Sequence, residues 1–414
     1  MDSIAKRNKT ALAIAMAVFF LCGFSTVLNV ILIPYLQSIL DLQYTPIAFI
    51  QVSFYSAYFL FSPLAGYIFL KRTYLEGIRC GLFTGGLGAL LIFAASTVSS
   101  FPLILLGIFV LGAGIAILQV TANPYTLLLG TSESASSRLT LAQSFTSVGT
   151  ILAPFVGSIC MLTHLCTPTE TSHLISGSSL HLLYLVLALT WAAVLVSTYF
   201  LDLPVGKETT SRSDYYYQNE TNPLKERFVL FGILGIGIAT GVEVTIGSHL
   251  VKFLSDPEIA DVSLSAAGKI MMLFWFGFFV GRVLGSRVLQ NVPPENMLFR
   301  HALAGILFTA FTVIFSGYFA AISVLMLGLC ISVMFPVIFS VVLEGCHSKK
   351  AAVSGFMCMA NIGGALLPLT QGMLADRLGI HRSFVLPIAA FLYMVFYSLY
   401  LRNRAATLAP MSYR

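Results

Sequence analysis

Residues 227–254 read RFVLFGILGIGIATGVEVTIGSHLVKFL. A helix of about 20 apolar residues crosses the hydrocarbon core of a bilayer. This stretch is long enough, and it carries one acid, Glu243, near its middle. A carboxylate at that depth costs roughly 3 kcal/mol or more. A chain that keeps one either uses it or hides it from lipid against polar partners. The segment therefore points at once to a membrane-spanning helix and to a candidate functional group.

The rest of the chain agrees with the first inference. It has 414 residues, 57% hydrophobic and 10% charged, with a mean hydropathy of +0.89. A soluble domain carries about 25% charged residues, and a surface so poor in charge would not stay in water. The sequence is that of a polytopic membrane protein whose first partner is the lipid bilayer. The net charge of +6 is no nucleic-acid signal, because the basic residues fall in short loops, where they set orientation. The seven cysteines lack metal-type spacing and mostly read as small buried hydrophobes. Cys160 and Cys166 lie near one helix end, where a bridge is open but not the favoured reading. Met1 to Thr10 is short and basic without a cleavage site, so the first span is expected to be retained.

Twelve spans are expected, near 11–40, 46–70, 75–97, 100–129, 137–163, 180–203, 227–254, 262–290, 297–318, 320–345, 350–375 and 383–402. The longest polar stretch separates six spans from six. This gives an N-terminal six-helix bundle over 1–203, a linker over 204–226 and a C-terminal six-helix bundle over 227–414. Placing both termini on one side puts every Lys and Arg there except Lys252, Lys269, Arg377 and Arg382. That asymmetry makes the termini cytoplasmic. The sequons at Asn8 and Asn219 then also fall on the cytoplasmic side.

The two halves echo each other. Gly66 and Arg72 match Gly281 and Arg287 at an offset of 215. Gly149, Pro154 and Asn29 match Gly363, Pro368 and Glu243 at an offset of 214. Parallel six-span repeats around a central site are a transporter architecture. The expected fold is thus all-α, twelve transmembrane helices in two pseudo-symmetric six-helix bundles.

Polar residues deep in spans are the candidates for function. Asn29 lies in span 1, Gln119 and Asn123 share a face of span 4, and Gln143 and Thr146 share a face of span 5. Glu243 lies in span 7, and Asn361, Thr370 and Gln371 lie in span 11. Amides offer donors and acceptors together, which is what a polyol demands, and Phe54, Tyr55, Tyr58 and Trp275 offer flat faces for a sugar ring. The competing reading is interhelical hydrogen bonding for packing alone. His249 lies beyond Glu243 toward the outer side, and histidine is the side chain that changes charge near neutral pH. Pro34, Pro63, Pro124, Pro154, Pro336 and Pro368 are expected to bend or break helices. No nucleotide-binding loop, nucleophile set or metal spacing is present. No enzyme and no cofactor are expected, which leaves secondary transport or facilitated diffusion.

Several blocks now resemble the major facilitator superfamily, and more closely the bacterial fucose permease and glucose/galactose transporter group. They are NVILIP from Asn29, FYSAYFLFSPLAG from Phe54, LQVTANPY from Leu118 and RLTLAQSFTSVG from Arg138. In the second half they are EVTIGSHLV from Glu243, GRVLGS from Gly281, MFPVIFS from Met334 and CMANIGGALLPLTQGMLAD from Cys358. The resemblance implies a monomeric transporter of a hexose such as glucose, galactose or fucose, in a bacterial inner membrane. It implies alternating access, with proton-coupled import the usual mode. It implies that Asn29, Gln119, Asn123, Gln143 and Glu243 face the central cavity. Thr146 and Asn361 complete the expected substrate set, Glu243 and His249 are the proton-coupling candidates, and Gly66, Arg72, Gly281, Arg282 and Arg287 are the candidates for conformational change.

The departures from that pattern keep alternatives open. Val30 stands where the fucose permease has the aspartate needed for proton coupling, and Gln119 where it has a glutamate. Thr140 and Thr146 replace asparagines, and Asn361 and His249 replace apolar residues. One reading is a symporter that couples through Glu243. A second is a sugar uniporter. A third changes the substrate to an amino sugar, a cyclitol or another small polar solute. Sodium in place of the proton, and a non-transporting sensor or scaffold, are further alternatives.

Overall fold

The computed structural model describes residues 2–40, 44–69, 71–98, 100–157, 172–205, 223–346 and 349–408. Cys160, Cys166, Asn219 and most of the 204–226 linker lie outside the described residues, and the side chains of Val30 and Pro34 are likewise not described.

The fold is all-α. Six helices make the first half: α1 (Asp2–Leu40), α2 (Tyr44–Phe69), α3 (Tyr74–Thr97), α4 (Phe101–Leu128), α5 (Ala135–Gly157) and α6 (Ser172–Phe200). The second half opens with α7 (Arg227–Leu254), α8 (Leu264–Val288) and α9 (Pro294–Ile314). Its tenth span is broken into α10 (Gly317–Ile331) and α11 (Met334–Glu344), and its eleventh into α12 (Lys350–Met359) and α13 (Gly363–Leu378). A short α14 (Ile380–Ser383) precedes α15 (Leu386–Leu408). Among the described residues, 12 helical segments are long and apolar enough to cross a membrane.

Local chemistry sets the ends of these elements. Thr73 accepts from the Glu76 amide at 3.2 Å to cap α3, and Ser263 accepts from Ala266 at 3.3 Å to cap α8. Gly379, at φ +81°, ends α13 in a conformation that suits glycine. Pro63, Pro124, Pro154 and Pro368 all lie inside continuing helices. Ahead of Pro336 the helix of the tenth span stops, at Ser332 and Val333.

Two compact units emerge. The first comprises Met1–Gly130, Phe145–Thr209 and Ser354–Met359, and the second Thr131–Ser144, Thr210–Val353 and Ala360–Arg414. In the first, α3 and α4 pack so closely that a methyl on Gly114 would overlap the Gly85 backbone. A fully buried Trp191 from α6 covers Gly85. In the second, α7 runs against α13, and a methyl on Gly363 would lie 2.7 Å from the Gly237 carbonyl carbon.

The internal repeat reappears as packing. In the first unit Gly149 of α5 crosses α1 at Gly23, where an added methyl would lie 3.2 Å from the Gly23 carbonyl carbon. In the second, Gly363 crosses α7 at Gly237. Both pairs, 23 with 149 and 237 with 363, are related by the same offset of 214. Small residues let the backbones approach without a hydrophobic drive between helices, so each unit keeps glycine on both sides of its own crossing.

Candidate functional site

In the first unit the predicted polar residues have aromatic partners. Asn29, 3% exposed, accepts a hydrogen bond at its Oδ1 from the Tyr184 hydroxyl at 3.4 Å. Its Nδ2 has no partner among the described residues. Gln119 is half-buried on α4 and shares a side-chain hydrogen bond with Tyr58 of α2. Asn123, one turn on, is fully buried. Tyr58 stands in a cluster with Phe54 at 5.4 Å and Tyr55 at 6.5 Å between ring centroids. The structure thus brings Gln119 to the expected aromatic face, while Asn29 is held by a residue from α6. Thr146 is half-buried on α5, where its backbone lies against Gly23.

The second unit contains the charges. Glu243 is half-buried on α7. One turn further, Gly247 lies against Trp275 of α8, with 3.1 Å between an added methyl and the indole. Along α8, Trp275, Phe278 and Arg282 share a face. The Trp275 and Phe278 centroids are 5.8 Å apart, and the Arg282 guanidinium sits 5.0 Å over the Phe278 ring. Arg282 is 6% exposed and interacts electrostatically with Glu243.

Two backbone carbonyls fix Arg282. Its Nε donates to the Ser332 carbonyl at 3.0 Å and its Nη1 to the Gln143 carbonyl at 2.9 Å. The first acceptor is created by sequence. In a continuous helix the Ser332 carbonyl would receive the amide of residue 336, but residue 336 is proline and has no N–H. The freed carbonyl faces α8 because Gly281 permits it: a methyl there would overlap the Ser332 side chain and come within 3.0 Å of the Leu329 carbonyl. The Gly281–Arg282 pair therefore serves one construction.

Asn361 lies in the 3-10 turn Ala360–Ile362 that interrupts the eleventh span. Its Oδ1 accepts from Thr240 Oγ1 at 2.8 Å. Gln143, 4% exposed, contributes its carbonyl to Arg282. His249 does not share the face of Glu243, since six residues turn about 240° around a helix. Its Nδ1 lies 2.9 Å from the Thr245 carbonyl, and its Nε2 4.0 Å from a methyl built on Gly372. Gly66 packs in the first unit against Gly355, with 3.1 Å between the Gly66 Cα and a methyl on Gly355. Arg72 and Arg287 are exposed, and Arg72 approaches Glu76 at 4.0 Å.

Sequence reasoning missed three partners. Arg282 was assigned to orientation and conformational change, although its spacing of seven from Trp275 signals a shared face. Thr240 sits three residues before Glu243 without standing out. Tyr184 is one aromatic in an apolar span, and nothing local marks it.

These groups are of the types that a neutral polyol uses. Asn361, with its carbonyl engaged by Thr240, presents its amide as a donor, Glu243 offers acceptors, and Trp275 is half-buried with a ring able to stack on a sugar face.

The Major Facilitator Superfamily model matches residues 14–368. The glucose/galactose transporter of Brucella abortus is 39% identical over 398 residues, covering 96% of this chain and 95% of that protein. The L-fucose-proton symporter of Escherichia coli is 25% identical over 382 residues, 89% of this chain and 87% of its own length. A crystal structure of the major facilitator transporter FucP in the outward conformation superposes with a TM-score of 0.83 at 25% identity, over 94% of this chain and 98% of that one.

Proposed function

This chain belongs to the Major Facilitator Superfamily, and from that premise we propose that it is a secondary transporter importing a monosaccharide, a hexose such as glucose or galactose, together with protons. It is an integral membrane protein of bacterial type. In our reading it works as a monomer by alternating access in the inner membrane, with both termini cytoplasmic and six-span halves joined over 204–226.

The observation that carries the reading is the unit-two group of Glu243, Trp275 and Asn361. It combines a membrane-embedded acid, an indole and an amide donor, and together they fit a neutral ring bearing hydroxyls. The likeness to transporters of glucose and galactose supports the hexose class. The likeness to a proton symporter supports the coupling. Glu243 is the proton-binding group in this reading, because Val30 cannot titrate.

Val30 also motivates a second reading, an uncoupled hexose uniporter in which Glu243 only accepts hydrogen bonds from the sugar. Uptake of radiolabelled glucose and galactose into proteoliposomes, with and without an inward proton gradient, separates the two. Accumulation above equilibrium only with the gradient supports the symporter. Equilibration indifferent to the gradient, with exchange intact, supports the uniporter. Failure to move either sugar would end both hexose readings and direct the panel to amino sugars and cyclitols.

A further inference from the structure

We propose that four arginines at one end of the second unit, Arg227, Arg300, Arg402 and Arg404, bind the phosphates of an anionic phospholipid. Which leaflet supplies the lipid rests on the reading of the termini as cytoplasmic, whereas the chemistry of the site does not.

Three helix ends meet there. α7 begins at Arg227, α9 begins at Pro294 with Arg300 in its second turn, and α15 ends at Leu408. α15 packs against both of the others. Tyr393 and Tyr397 donate to the Phe231 and Phe228 carbonyls of α7 at 2.6 Å and 3.1 Å, and the Phe391 ring lies 2.5 Å from a methyl built on Gly305 of α9.

Two of the arginines are seated on aromatic rings. The Arg404 guanidinium lies 3.4 Å over Phe228, and that of Arg402 lies 5.5 Å over Phe299. Each ring is the chain neighbour of a further arginine, Arg227 before Phe228 and Arg300 after Phe299. A ring face attracts a cation and steadies its side chain, but it does not neutralise the charge. Among the described residues, none of the four has a carboxylate within 4.0 Å. Arg227, Arg300 and Arg402 are exposed, and Arg404 is half-buried.

Basic residues of the first unit are handled differently. Arg7 approaches Asp202 at 3.9 Å and Arg72 approaches Glu76 at 4.0 Å. Arg79 donates to the Thr198 carbonyl at 2.6 Å while it lies over Tyr199. The bias that sets orientation places basic residues in both halves. It does not explain why those of the first unit have polar partners and these four have only rings.

Depth identifies the partner. The four lie near the ends of the membrane-length segments Arg227–Leu254, Pro294–Ile314 and Ile380–Ala405, and the ends of such segments reach the lipid headgroups. Arginine engages phosphate through its planar fork, and its stem lies along apolar surface while the head reaches the interface. Basic pockets between transmembrane helices take lipid phosphates in this way. Four guanidiniums suit two phosphates, so a lipid of the cardiolipin type is expected to bind more tightly than phosphatidylglycerol, which has one.

The test uses the purified full chain in neutral detergent and follows the rise in melting temperature as cardiolipin, phosphatidylglycerol or phosphatidylcholine is added. The two anionic lipids are expected to raise it, cardiolipin at the lower concentration, and phosphatidylcholine is not. Arg227→Gln combined with Arg300→Gln removes the two arginines that make no ring contact. Apparent affinity for cardiolipin is expected to fall about 30-fold, roughly fivefold for each charge. Lys252→Gln combined with Lys269→Gln removes the same charge from exposed residues of the same unit and should leave the affinity as it was. Arg402→Gln combined with Arg404→Gln should weaken binding at least as much, and the first pair decides if this one does not fold. Full affinity in the Arg227 and Arg300 double variant overturns the proposal. An equal loss in the lysine pair reduces the effect to general charge attraction and overturns it too. So does competition by glycerophosphate at the same phosphate concentration, which would put a soluble phosphate ester in the place of a lipid. Sidedness is read separately from a green fluorescent protein fused to the C-terminus, which lights up only in the cytoplasm. A dark fusion would overturn the cytoplasmic reading and leave the lipid site standing.

Discussion

Thr240 Oγ1 donates to Asn361 Oδ1 at 2.8 Å, joining the middle of α7 to the 3-10 turn that interrupts the eleventh span. The bond decides which way the amide faces. With its oxygen taken, Asn361 offers its NH2 as a donor, whereas Glu243, also on α7, offers acceptors. A ligand must then supply an acceptor at one place and donors at the other, as a sugar does.

Asn361→Asp tests that polarity. The carboxylate still accepts from Thr240 but has no donor to give. A lost hydrogen bond in a desolvated site costs about 1–3 kcal/mol. Hexose affinity in equilibrium exchange is expected to fall roughly 5- to 150-fold, and the added buried charge is expected to lower the melting temperature in detergent. An unaltered affinity would remove Asn361 from the substrate set.

Glu243→Gln separates coupling from binding. The amide resembles the protonated acid in shape and charge, so sugar should still enter and exchange. Accumulation driven by a proton gradient should disappear, while counterflow stays within about a few-fold of the parent protein, a change under 1 kcal/mol. A variant that still concentrates sugar would show that the proton binds elsewhere.

Glycine packing yields a contrast of two substitutions. Gly85→Ala forces a methyl into the ring of Trp191, 2.6 Å from its Cη2. Because this neighbour is rigid and fully buried, overpacking should cost about 1–3 kcal/mol and lower the melting temperature in detergent. Gly268→Ala, within α8, meets nothing within 4 Å. It should hold or raise the melting temperature, since alanine favours a helix interior by up to about 1 kcal/mol. Equal effects at the two sites would contradict the packing.

These particulars also separate what the sequence carries from what folding adds. The twelve spans were legible because each is a run of apolar residues of bilayer length, and Asn29, Gln119 and Glu243 stood out as polar exceptions within them. The break at Ser332 was not, because Pro336 looks no different in sequence from Pro124 or Pro154, which sit inside intact helices. What distinguishes Pro336 is a neighbour 54 positions away, Arg282, which takes the carbonyl the proline leaves unpaired. Arg282 itself resembled one more basic residue near a span end. Its burial depends on the closeness of α8 to the end of α10, which Gly281 allows and which no local pattern reports.

Gln371 gives the last prediction. It is 0% exposed, and neither atom of its amide has a partner among the described residues. Thr245 Oγ1 is in the same position, at 1% exposure. The register of α7 on α13 sets them on facing flanks. Gly241 lies against Gly363 and Leu367, and His249 against Gly372, so Thr245 and Gln371 fall between those contacts. An unpaired buried amide costs about 1–3 kcal/mol, and methionine has nearly the same shape without it. Gln371→Met should therefore leave the melting temperature unchanged or raise it by about 2 °C. A fall would mean that a water bridges the amide to Thr245, as waters do where buried polar groups cluster. In that case Thr245→Val should cost little once Gln371→Met is present, because both changes remove the same bridge and their effects would not add.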